Sequence, residues 1–346
     1  MSSPYPWYYG FRWLLDYFNP STQNPTDLVP LPRSARIGDE PVELTLAFLG
    51  DLMCMQNDRI PEVPAVVQDA LRGADLVFAN CEAPVMFEEL RPYARYVGHF
   101  AMAEAFLFGF LERLGVPADK AVLSIANNHI ADQGVDGLVQ SIERIEKHGA
   151  VAVGGLADAE AAPYRIVERA GKRIGAVAWS QWLNSEQRLP GFPNIVRTRD
   201  VEAFDFAELR ASVDVLVATP HWEYEFRHFP RATTRAFAGR LAESGFDVVV
   251  GHHPHVLMPL ERFGDRLCLY SLGNLNGPAL ERVGWPVRLG GVFVVELGAS
   301  GPVSYRLVPF AQRRQPSLDA DLVPLEEADP QLRERLDLVF PDTQPR

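Results

Sequence analysis

Residues 121–134 read Ala-Val-Leu-Ser-Ile-Ala-Asn-Asn-His-Ile-Ala-Asp-Gln-Gly, and the reading of this stretch decides the fold class. The run 121–126 has the length and composition of a buried strand. From Val135 onward, Val135, Leu138, Val139, Ile142 and Ile145 recur at helical spacing. Asn127, Asn128 and His129 therefore occupy a strand-to-helix turn. In open α/β folds the ligand crevice lies at such carboxyl ends of strands. One turn alone is also open to a plainer reading, because Asn and Asp cap helices and tolerate turn geometry.

Outward from this turn the pattern repeats. Strand-like runs occupy 43–49, 75–79, 121–126, 150–153, 173–179, 213–218, 246–250, 267–271, 291–297 and 303–309, with helical patterns near 62–72, 102–114, 135–148, 201–210 and 231–244. Alternation of strand and helix predicts a parallel sheet, and the close succession of strands after Arg262 predicts antiparallel additions. A layered α/β sandwich of two mixed β-sheets with helices outside satisfies both. Residues 1–42 read as an aromatic segment (MSSPYPWYYGFRWLLDYF) that packs onto the domain, followed by a connecting arm. Residues 43–315 form the main domain, and 316–346 an acidic, peripheral tail.

Composition narrows the function. The chain has 346 residues, 47% hydrophobic and 23% charged, enough for a core that needs no staple. A formal net charge of −12 argues against a nucleic-acid surface or attraction to anionic lipid. Cys54, Cys81 and Cys268 form no CxxC pair, which excludes an all-sulfur metal site and fits reduced thiols in a cytoplasmic protein. No apolar run approaches the roughly 18 residues of a spanning helix, and the first residues lack the pattern of a signal peptide.

The strand ends carry the chemistry. They present Asp51, Asn80-Cys81-Glu82, Asn127-Asn128-His129, His221, the run Gly251-His252-His253-Pro254-His255, and Asn274. In a largely parallel sheet these ends share one edge. Singly, Asp51 reads as a helix cap and His221 as a satisfied core histidine. His253 and His255, two apart on an extended segment, face the same way and would repel each other if protonated, a cost that a shared metal removes. Carboxylate, amide and imidazole together suit Mn, Fe or Zn, one or two ions per chain. Phosphate loops, dinucleotide fingerprints and nucleophile elbows are missing from the sequence. Cys81 beside Glu82 has no assignable base and reads as a packed thiol.

The segments FLGDLMCM, ANCEAPV, SIANNHIADQGVDGL, HWEYEF, GHHPHVLMPLE and YSLGNL, in this order, resemble the CapA family of capsule and poly-γ-glutamate synthesis proteins, within the wider calcineurin-like metallophosphoesterases. The resemblance implies the four-layer α/β/β/α sandwich and a metal centre at the strand ends. It implies Asp51 and His255 on a first metal, Glu82 in the bridging place, and Asn128, His221 and His253 on a second. His129 would contact substrate and protonate the leaving group, oriented by Asp132. Asn80, Asn127, Glu223, Glu225 and Asn274 are expected to touch the substrate, a small molecule bearing a phosphoester or γ-glutamyl bond. The implied activity is that of a soluble metal-dependent hydrolase, with a non-hydrolytic accessory protein of polymer assembly, or a metal-dependent ligase or transferase, as alternatives. The chain departs from the family pattern at Met53, where the superfamily has histidine, at Glu223, where relatives have glycine, and at Cys81 and Met258; relatives are also often membrane-anchored. If 221–225 is extended, His221, Glu223 and Glu225 share one face, and the two carboxylates would favour a substrate bearing a cation; the plainer alternative turns Glu223 outward into solvent.

Overall fold

A computed structural model of the chain describes residues 7–53, 59–86, 100–155, 161–184, 195–277, 285–315 and 320–342. Its centre is a pair of mixed sheets. In the larger, Leu44–Leu52, Leu76–Cys81, Ala121–Ser124 and Val151–Val153 run parallel side by side. Leu289–Gly298 and Gly301–Arg314 extend this sheet as an antiparallel hairpin from Leu44–Leu52. In the second sheet Arg266–Leu269, Val248–Val250, Val215–His221 and Lys172–Ser180 are parallel, with antiparallel Leu260–Phe263 and Arg165–Arg169 at the edges.

Side-chain alternation explains the layering. Along the Val215–His221 strand, Val215 and Val217 join the core between the sheets, whereas Leu216 and Ala218 join a second core under the helices. The same strand thus buries both faces, which is why its sequence is a continuous apolar run. Leu209 of the Ala207–Ser212 helix and Ala238 and Leu241 of the Ala232–Glu243 helix cover that outer face. On the other side Val67, Leu71, Phe106, Phe110, Leu138 and Ile145, from helices Ala65–Arg72, Glu104–Leu114 and Gly134–Lys147, pack on the larger sheet. The arrangement is the expected four-layer sandwich, with two mixed sheets inside and helices outside.

Parallel register then does the positioning. Asp51 pairs with Asn80, and Asn80 with Ser124, so three strands end at one level. Asn274, on the short Asn274–Asn276 strand, lies beside Asp51. That approach depends on Gly50: a Cβ there would sit 2.1 Å from the Gly273 carbonyl oxygen, which accepts the Asp51 N–H at 2.9 Å.

The chain ends behave differently from expectation. Residues Trp7–Phe18 form an amphipathic helix, and Ser34–Arg36 of the connecting arm adds an edge strand beside Gly301–Arg314. The acidic segment beyond 316 contributes the Ala320–Pro324 strand on that same strand, and the Pro330–Val339 helix buries Leu332, Leu336 and Val339 in the main core. Its acidic residues face out, while apolar residues at helical spacing face in. Cys81 and Cys268 are buried, and Cys54 lies outside the described residues. No described helix is long and apolar enough to cross a membrane.

Leu336, fully buried, tests whether the C-terminal helix is integral. Leu336→Ala should lower the free energy of unfolding by about 2–5 kcal/mol in urea titration. A loss below about 0.5 kcal/mol would mean that the segment is merely laid on the surface.

Candidate metal centre

Two fully buried carboxylates define the site. Asp51 ends the Leu44–Leu52 strand and Glu82 follows Leu76–Cys81; both are 0% exposed. Asp51 is well provided for. Its Oδ1 accepts from Asn80 Nδ2 at 2.8 Å and lies 3.2 Å from His252 Nδ1, and its Oδ2 accepts from the His253 backbone N–H at 3.3 Å and lies 3.4 Å from His255 Nδ1. Burial works to raise the Asp51 carboxyl, but His252 and His255 overcome it and hold the group well below the usual carboxylate range.

Glu82 is the opposite case. Neither of its oxygens accepts a hydrogen bond among the described residues. Burial, reinforced by the charge of Asp51, pushes its carboxyl well above the usual range. A buried carboxylate without donors is strongly disfavoured unless a cation stands beside it. The neighbours are those a cation would need. Ligand atoms of Glu82, His221 and His253 lie within 4.8 Å of one another, as do those of Asp51, Glu82 and His255. Glu82 belongs to both sets.

The histidines show the same imprint. Burial, then the charge of a neighbouring histidine, lowers His221 and His253 well below the ordinary imidazole value, which keeps them neutral and fit to ligate. At His255 burial is outweighed by Glu82 and Asp51, so its imidazole is pushed up to about 10. His221 Nε2 is 3.0 Å from Asn128 Oδ1, an orientation that turns the amide oxygen toward the same space. Orphaned carboxylate oxygens and a carboxylate–imidazole–amide donor set fit divalent transition metal.

The backbone route to this geometry was not anticipated. His253 and His255 do not lie on an extended segment; their φ values are 98° and 58°, in the left-handed region. The loop coils so that His252 reaches Asp51, His253 reaches His221 at a ring separation of 4.6 Å, and His255 reaches Asn274. Gly251 makes room, since a Cβ there would meet the Tyr270 carbonyl oxygen at 2.1 Å and Trp222 Nε1 at 2.3 Å. His252 was missed by sequence reasoning; the signal was the unbroken histidine pair.

His129 and Asp132 lie side by side. His129 Nδ1 is 2.7 Å from Asp132 Oδ2, which also accepts the Phe100 N–H at 2.8 Å. The Phe100 ring stacks on the imidazole at 3.8 Å, and the free edge, Nε2, faces Asn184 Nδ2 at 3.4 Å.

The residues expected at the substrate divide. Asn80 binds Asp51, and its Nδ2 also lies 3.2 Å from His221 Nδ1; Asn127 donates to Asn80 Oδ1 and the Cys81 carbonyl and accepts the His129 N–H. Asn274 Oδ1 holds His255 Nδ1 at 2.8 Å. These buried amides brace the ligands from behind, because each must place its own hydrogen bonds inside the protein. Glu223 neither faces the centre nor turns to solvent. Its φ of 71° breaks the extension, and its buried carboxylate accepts from the Arg231 and Tyr224 backbone N–H groups, the Arg231 guanidinium and Thr234. Glu223 thus adopts the left-handed region that glycine enters most readily. Glu225 does face the centre, with Oε1 3.9 Å from His255 Nε2.

With this geometry in hand, comparison with known proteins is direct. Residues 45–277 match the family described as bacterial capsule synthesis protein PGA_cap. The chain belongs to this family. It is 28% identical over 250 residues to the PGA biosynthesis protein CapA of Bacillus subtilis, covering 67% of this chain and 62% of that one. It is 26% identical over 252 residues to the capsule biosynthesis protein CapA of Bacillus anthracis, covering 67% and 59%. The matched region thus spans about three fifths of those PGA_cap relatives. Among solved structures, a phosphatase from Mycoplasma pneumoniae aligns with a TM-score of 0.47 at 16% identity, over 87% of this chain and all of that one.

Two expectations follow. Replacing His253 and His255 together by Ala should abolish bound transition metal, by elemental analysis, while circular dichroism stays native; undiminished metal would refute the ligand set. Glu223→Gln should leave metal content unchanged and cost about 1–3 kcal/mol of stability, because Arg231 and Thr234 lose a charged acceptor. Metal loss in that variant would place Glu223 at the centre after all.

Proposed function

We propose that this PGA_cap protein is a divalent-metal-dependent hydrolase acting on a phosphoester or on a γ-glutamyl amide of a capsule-type polymer. The observation that carries the reading is Glu82, whose oxygens accept no hydrogen bond among the described residues and whose Oε1 lies 3.7 Å from His221 Nε2 and 3.9 Å from His255 Nε2. Asp51, Glu82 and His255 would hold one ion, and Glu82, Asn128, His221 and His253 a second. Bound there, divalent metal supplies Lewis acidity and makes water a nucleophile near neutral pH.

The protein's own residues supply the rest. The Asp132 carboxylate accepts from His129 Nδ1–H and stabilises the imidazolium, which leaves Nε2 to carry the proton delivered to the leaving oxygen or nitrogen. Phe100, stacked on the ring, keeps the imidazole in one plane and shields one of its faces from water. Asn127, which accepts the His129 N–H, ties this acid to the scaffold that holds Asp51. The site thus combines buried metal ligands with an acid at its margin, the division of labour that hydrolysis requires.

The substrate class is drawn from the relatives' names, which point to PGA and capsule biosynthesis. A second reading, in which the site binds polymer or precursor without cleaving it, is favoured by a Mycobacterium tuberculosis relative named as a probable polyglutamine synthesis accessory protein, 28% identical over 44% of each chain.

Metal-reconstituted protein should hydrolyse a generic phosphodiester or a γ-glutamyl oligopeptide, and His129→Ala should reduce kcat by roughly 10²–10⁴ with metal retained. No turnover of either substrate by fully metallated protein, together with saturable binding of γ-glutamyl oligomer, would favour the second reading. Loss of metal in His129→Ala would make that residue a ligand.

A further inference from the structure

The N-terminal helix Trp7–Phe18 lies outside the family-matched residues 45–277, yet it packs directly on the loop that follows His221. Tyr9 stacks on Tyr224 with ring centroids 4.1 Å apart and donates its hydroxyl to the Glu225 carbonyl at 2.9 Å. Trp13 and Tyr17 flank Phe226 at 5.8 and 5.4 Å, in a small core that also contains Val256, the residue after His255. Just past the helix, the Ser21 N–H binds the Phe226 carbonyl at 2.8 Å. The helix therefore braces two loops at once, one following His221 and the other bearing His253 and His255.

One contact reaches further. Trp13 Nε1 donates to Glu225 Oε2. With that oxygen engaged, Oε1 is left 3.9 Å from His255 Nε2, and the same Nε2 lies 3.9 Å from Glu82 Oε1. Glu225, His253 and His255 also form a compact set of ligand atoms, all within 4.8 Å. Packing alone does not require an indole N–H aimed at a carboxylate. A phenyl ring would supply aromatic packing without that N–H, and the hydrogen bond fixes which Glu225 oxygen faces the histidines.

We propose that Glu225 is itself a metal ligand, set in place by Trp13, so that the N-terminal helix is a working part of the metal centre. This extends the metal-centre reading above and rests on it. Glu225 supplies a further anionic oxygen on the His255 side, and Trp13 is a positioning residue. Such an outer hydrogen bond fixes a carboxylate's rotamer and typically changes metal affinity by 10–100-fold.

The test is calorimetric titration of Mn²⁺ and Zn²⁺ into chelator-stripped full-length protein. Wild type, Trp13→Phe, Glu225→Gln and the double variant are compared, with metal-free thermal unfolding recorded for each. Glu225→Gln should weaken cation binding by about 10-fold or more, and Trp13→Phe by about 10-fold. The double variant should be no weaker than Glu225→Gln alone, because Trp13 acts through Glu225. Wild-type affinity in Glu225→Gln overturns the proposal, as do losses that multiply in the double variant. Should Trp13→Phe not fold, Glu225→Gln still decides the ligand assignment. If the wild type itself takes up no cation, the metal-centre reading falls and this proposal with it. If the wild type binds and Glu225→Gln binds equally well, only the present proposal fails.

Discussion

Everything at the centre of this molecule answers to the burial of two carboxylates, Asp51 and Glu82, neither of which has any exposed side-chain surface. Charge in such a place must be balanced by partners arranged in advance. For Asp51 the protein supplies them: an amide, a backbone N–H and two imidazoles. For Glu82 the described residues supply no hydrogen-bond donor, and of the imidazoles nearby His221 and His253 are held neutral while His255 alone is pushed up by the acids beside it. The parallel strands, the close approach at Gly50 and the coiled histidine loop are the means by which six chain segments reach this one pair of acids.

Much of this was legible in the sequence because its cause is local. A strand buried on both faces has to be a continuous apolar run, and a parallel sheet has to end its strands on one side, so the order Asp51, Glu82, Asn128, His221, His253, His255 already implied a shared edge. What was not legible depends on backbone hand or on distant partners. His221-Trp222-Glu223-Tyr224-Glu225 reads as an alternating segment, and nothing in it announces the left-handed residue that turns Glu223 onto Arg231. Asn80, Asn127 and Asn274 are polar residues at strand ends, but whether an amide faces substrate or braces a candidate ligand is decided by partners as far as 141 residues away.

The two chain ends were obscured for another reason. The Pro330–Val339 segment mixes four charged residues with four Leu or Val, and its apolar residues matter because the main core offers them a surface. The Trp7–Phe18 segment is rich in aromatic residues. Its helical form, and its grip on both site loops, follow from contacts with Tyr224, Phe226 and Val256 more than 200 residues away.

The left-handed conformations of His253 and His255 also bear on how metal binding and folding are linked. A disordered chain rarely places two neighbouring non-glycine residues in that region, and the acids they must meet lie some 200 residues earlier. The unfolded chain is therefore a poor chelator despite its histidines. Cation binding at the proposed centre would then act almost wholly on the native state, and free metal at a hundred times its dissociation constant would add about 2.7 kcal/mol to stability. Metal supply would in this way set not only whether the centre works but how long the folded protein survives.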